Sequence, residues 1–125
     1  MPNVRVNKTD FNQTTRSIVA IPDHYVALAA QIPASAATVV GGKKYILAGT
    51  CVKNATSLEG RKTGLQVVAQ GEQFDGVIFA DQRVYEGEEN VTVTVLVHGF
   101  VKYAALQKVE NTVPESKNAM ILVVK

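Results

Sequence analysis

Between residues 91 and 97 the chain alternates strictly, with Val91, Val93, Val95 and Val97 on one side and Thr92, Thr94 and Leu96 on the other. A period of two predicts a strand whose valine face turns to the core and whose threonine face is only partly covered. Shorter apolar runs bounded by turn residues predict further strands over 17–21, 44–52, 65–69, 74–80 and 119–124. Pro22 stops the first, Gly41-Gly42 and Gln70-Gly71-Glu72 mark turns, and residues 53–64 read as a polar loop. Asp23 reads as the cap of a helical turn through His24–Ala30 that ends before Pro33, with a strand as the alternative there. Phe100, Tyr103, Ala104 and Gln107 fall in one stripe and predict a short helix. Short strands joined by glycine-rich turns are the pattern of a small β-barrel or sandwich.

Residues 1–16 break this pattern. They are polar, with apolar points at Val4, Val6 and Phe11 and a brief Val4-Arg5-Val6 alternation. Such a stretch has too little apolar surface to fold alone and reads as an extended N-terminal arm. Residues 17–125 then form a single β-rich domain, in keeping with a chain of 125 residues. No internal repeat, heptad or low-complexity tract points to a second one.

Composition narrows the class. Hydrophobic residues make up 46% and charged residues 19%, too apolar for disorder. Without Trp, the core must rest on Val, Ile, Leu and Ala, which again favours sheet. The net charge of +2 does not argue for nucleic acid. Its distribution is uneven: residues 1–70 hold eight Lys/Arg against three Asp/Glu, and residues 71–125 hold five against eight. One half can face an acidic partner and the other a neighbouring copy. No apolar run approaches the ~20 residues that span a bilayer, and no signal-peptide layout opens the chain. A protein made in a reducing cytoplasm is expected, and sequons such as those at Asn12, Asn54 and Asn90 are then chance matches.

Candidate chemistry is sparse. Cys51 is the only cysteine, so no internal disulfide or multi-cysteine zinc site forms, and its apolar run predicts a buried thiol. His24 and His98 show no metal-ligand spacing, and a structural role is expected for His98. A Cys51/His98/Asp81 nucleophilic set lacks any elbow or signature around the cysteine. Asp75, Asp81, Glu86, Glu88 and Glu89 are the carboxylates available for acid–base work, the last three in a solvated turn. Gly41-Gly42-Lys43-Lys44 lacks the phosphate-loop frame, and Lys43, Lys44, Arg61 and Lys62 have no interleaved aromatic except Tyr45. No catalytic, cofactor or metal residue is assigned, and no enzyme activity is expected.

One order of elements is distinctive. Asp75-Gly76-Val77-Ile78-Phe79-Ala80-Asp81 leads through the acidic turn Glu86-Gly87-Glu88-Glu89-Asn90 to Val95-Leu96-Val97-His98-Gly99-Phe100-Val101, closed by Ala105-Leu106. This order resembles the C-terminal half of phage head decoration proteins of the lambda type and of head fibre proteins. Leu47-Ala48-Gly49-Thr50-Cys51-Val52 is similar to the family's Ala-Gly-Thr-Val-Leu strand, and Met120–Val124 has counterparts in the head fibre relatives. The chain departs from the pattern at Val84-Tyr85 and at Lys102. The resemblance implies a mostly β, β-tulip-like body with one or two short helices, trimeric on the outer surface of the phage head. It implies the major capsid protein as partner, with no cofactor, membrane or direct nucleic-acid contact. Val4, Arg5, Val6 and Phe11 of the arm are the expected capsid contacts. Another virion subunit (a head fibre base or tail protein) and a cytoplasmic ligand-binding barrel are the alternatives.

Overall fold

The computed structural model describes residues 18–21 and 24–125. The arm with Val4, Arg5, Val6 and Phe11, Ser17 at the start of the first expected strand, and the Pro22-Asp23 stop and cap all lie outside the described residues. The body is mostly β and its sheets do not close into a barrel.

The backbone is organised around one long strand. Strands β1 (Tyr25–Pro33), β4 (Cys51–Lys53), β5 (Gln66–Val67), β7 (Gly76–Ile78), β9 (Asn90–Lys102) and β11 (Ile121–Val124) form a six-stranded sheet. Its order is β1-β9-β7-β4-β5, with β11 added parallel to the far end of β9. A second sheet joins β2 (Thr38–Val40), β3 (Lys43–Ile46) and β8 (Gln82–Val84). A third pairs β6 (Gln73–Phe74) with β10 (Glu115–Ser116).

The middle of the central sheet is buried on both faces. Ile78, Val95 and Val52 face a cluster completed by Ile46, Val84, Leu65 and Ala55. Cys51, Val77 and Leu96 face another completed by Phe74, Val101, Leu106 and Ile121. Two cores explain why Cys51-Val52, Val77-Ile78 and Val95-Leu96 are consecutive apolar pairs, since a strand covered on both sides loses its alternation. Leu96, expected beside the threonines, is fully buried for this reason, while Thr92 and Thr94 stay exposed.

Between Leu96 and His98 the register with β1 shifts, leaving Val97 as the extra residue of a bulge. The parity of β9 reverses there. Even-numbered Leu96 and odd-numbered Val101 consequently meet in the same cluster. Asn118 secures the bulge, its Nδ2 donating to the Val97 and Asp75 carbonyls at 3.0 Å each.

Several expectations need correction. Residues 24–30 are not helical. From Tyr25 onward they belong to β1, because nine register positions against β9 outweigh the helix preference of a few alanines. Phe100 and Val101 continue β9, and only Tyr103–Ala105 makes a 3-10 turn. The run 44–52 is two strands, broken at Gly49, which has φ +90° and whose added Cβ would strike the Ala105 carbonyl. The loop 53–64 contains a helix, α1 (Leu58–Thr63), whose Gly60 N–H donates to the Ser57 hydroxyl at 2.9 Å. It buries no residue of its own, so no apolar stripe announced it. The run 17–21 is represented by the single bridge Val19–Val101, flanked by bonds from Ala20 N–H to the Phe100 carbonyl and Lys102 N–H to the Ile18 carbonyl.

Candidate interaction surfaces

The carboxylates flanking the Asp75–Asp81 segment hold backbone. Asp75 is 6% exposed, and its Oδ1 accepts the Ala55 N–H at 3.0 Å. Asp81 Oδ1 accepts the Ala48 N–H at 2.7 Å. The two acids thus pin both ends of the Ala48–Ala55 segment that contains β4, and charge-assisted bonds of this kind are the stronger ones. Gly76 is required beside them, because a Cβ there would lie 2.5 Å from the Ala55 methyl.

The nucleophilic set is not assembled. Burial pushes the Cys51 thiol up to about 12, the opposite of an activated cysteine. His98 instead meets His24, and Asp81 is held by Ala48. Glu86, Glu88 and Glu89 are exposed, with Glu88 Oε1 accepting the Tyr85 N–H across the turn.

Two exposed surfaces stand out among the described residues. The first is the outer face of the β2-β3-β8 sheet. Pairing of Thr38 with Tyr45 and of Tyr45 with Arg83 puts these three on the side opposite buried Ile46 and Val84. Val40, Lys43 and Tyr85 share that side by alternation. The Arg83 guanidinium lies 4.9 Å from the Tyr85 ring centre, a cation–π contact, and its buried Nε has no hydrogen-bond partner. An open groove of about 400 Å³ runs from Gly42–Lys44 to Arg83–Glu86. The sequence reading paired Lys43 and Lys44 with Tyr45 only. It missed Arg83 and Tyr85 because β8 is three residues long and was not recognised as a strand.

The second surface is a mainly apolar groove of about 390 Å³. Val26 and Leu28 of β1, Val97 and His98 at the bulge, and Met120 before β11 line it, with Thr56 and Arg61 at its rim. Val26 is 45% exposed and Met120 54% exposed, large values for apolar side chains. The strands beside it are partly open. β11 pairs only with β9 among the described strands, and Leu122 and Val124 are exposed on it. β1 likewise has β9 as its only strand partner among those described, although its outer edge is met at Gln31, whose carbonyl accepts the Leu65 N–H at 2.7 Å. An exposed strand edge next to an apolar groove is a template for another chain.

Among the described residues no group of three or more His, Cys, Asp or Glu is placed to hold a metal ion, and no helix is long and apolar enough to cross a membrane. The chain matches no family model, no curated protein and no solved structure.

Proposed function

We propose that this chain is a phage head decoration protein, binding the outer surface of the assembled head and clamping adjacent capsomers. The resemblance of the Asp75–Leu106 segment gives the reading its specific content. The observation that carries it furthest in the fold is the apolar groove beside strands with partly open edges. That arrangement suits recognition of protein by strand addition and apolar anchoring, with side-chain pockets giving specificity. Among the described residues the sheets do not close into a barrel that would enclose a small ligand. In this reading the major capsid protein supplies the partner strand, the arm with Val4, Arg5, Val6 and Phe11 adds a second contact, and copies associate as trimers.

A clamp acts through particle stability and not through turnover. A protein that binds the assembled lattice but not isolated subunits stabilises the lattice by mass action. Phage heads lacking this chain should assemble yet lose DNA on mild heating, and purified protein added back should restore heat resistance. Cryo-electron microscopy should then show density on the outer shell over the local threefold axes. Density confined to the tail would replace this reading with that of another virion subunit.

A further inference from the structure

His24 and His98 are separated by 74 positions in sequence, yet their Nε2 atoms are 2.9 Å apart. The topology makes this meeting. Tyr25 pairs with Gly99 and Val26 with His98, so residue 24 falls next to the segment just beyond the β9 bulge. The bulge matters because it reverses the parity of β9, turning His98 and Phe100 away from the Leu96–Val101 core. The rings meet edge-on, with centroids 4.8 Å apart and planes at 62°. Phe100 flanks the pair, 6.0 Å from the His24 ring centre, and His98 also lines the apolar groove.

We propose that His24 and His98 form a two-histidine site for a borderline divalent transition metal, favouring Cu²⁺ over Ni²⁺ and Zn²⁺. Two imidazole nitrogens each about 2.0–2.1 Å from one ion, at right to tetrahedral angles, stand roughly 2.8–3.4 Å apart. The observed 2.9 Å lies within that range, and the rings need only turn so that both nitrogens aim at an ion beside the line of the shared hydrogen bond. Neutral imidazole suits these ions, whereas Mg²⁺ and Ca²⁺ prefer oxygen donors. No third His, Cys, Asp or Glu completes a cluster among the described residues, so the remaining positions go to water. The site is therefore a shallow chelate on the surface of the β1–β9 pair, and the ion ties the residue just before β1 to β9. This proposal is independent of the decoration reading.

The experiment is a titration of the full chain with Cu²⁺, Ni²⁺ and Zn²⁺, followed by thermal melting and by electron paramagnetic resonance for Cu²⁺. One equivalent should bind, the melting temperature should rise in the order Zn²⁺, Ni²⁺, Cu²⁺, and the copper spectrum should carry nitrogen couplings from two imidazoles. Mg²⁺ and Ca²⁺ should leave the melt unchanged. His24→Gln and His98→Gln should each weaken Cu²⁺ binding about tenfold or more, since even an outer-shell loss costs roughly 10–100-fold. In the unaltered chain, substoichiometric Cu²⁺ should broaden the nuclear magnetic resonance signals of both imidazoles together, a readout that does not depend on the variants folding. Full-affinity binding by either variant, broadening of one imidazole only, or no binding of any of the three metals overturns the site.

Discussion

Asp75 and Cys51 lie close in the fold and have opposite physical requirements. Asp75 is a buried carboxylate whose oxygens accept from Ala55 N–H and, more weakly at 3.5 Å, from the Thr56 hydroxyl. Replacing it by Ala removes the acceptor and leaves a buried N–H unpaired, at a cost of about 1–3 kcal/mol. Chemical denaturation of Asp75→Ala should show that loss, with an unchanged slope. Cys51 is a small apolar residue in the core, raised to about 12 by desolvation. A raised acidity constant means that the folded protein holds the thiol proton more tightly. Its stabilising contribution is complete below the ordinary thiol value and is lost as pH rises toward 12, at about 1.4 kcal/mol per pH unit. Below pH 8 the native thiol should resist alkylation until the protein unfolds. Between pH 9 and pH 11 Cys51→Ala should lose less stability than the unaltered chain, a difference read from paired melts.

At the scale of elements, β9 carries the fold. Val95 is fully buried between Ile78 and the second sheet, whereas Thr94 points to solvent. Val95→Asp should bury an unpaired charge, costing as much as the margin of a small domain, while Thr94→Asp should move the melting temperature by a few degrees at most. Equal damage would mean that the threonine face is covered as well. The start of β9 was legible because one face is buried and one is wet, so period-two alternation survives in the residues. Its second half was not legible. The bulge at Val97 reverses parity, and the spacing of Phe100, Tyr103 and Ala104 then imitates a helix. β1 was misread for a related reason, as its alanines prefer helix locally and only pairing with a strand 57–74 residues away decides otherwise. Of the surfaces, Lys43, Lys44 and Tyr45 were visible as neighbours in sequence. Arg83 and Tyr85 joined them only through sheet pairing, and the two histidines only through register.

For the whole molecule, the two cores share one sheet, so damage to that sheet should be felt on both sides and unfolding should be a single transition. The expected arm lies outside the described residues. Deleting residues 1–12 should leave the melting temperature nearly unchanged while weakening capsid binding, measured by co-sedimentation with heads. Undiminished binding by the shortened chain would leave the groove lined by Val26, Leu28 and Met120 as the capsid contact.

Both ends of the described body meet at one place. Ile18 bonds to Lys102 from one side of β9, and Val124 pairs with Lys102 from the other. Two inter-strand spacings separate them, about 10 Å, a gap that a linker of ~4 extended residues would bridge. The described body is in effect a nearly closed loop, and its ends can be moved. Joining Lys125 to Met1 makes residues 1–17 the linker, and new ends can be opened at the exposed turn around Gly87. Such a circular permutant should melt close to the original, because no strand pairing is cut. Its arm would then be tethered at both ends. If that arm must lie extended along a capsid strand, the permutant should fold normally and fail to hold the shell, separating the architecture of this protein from its task in one molecule.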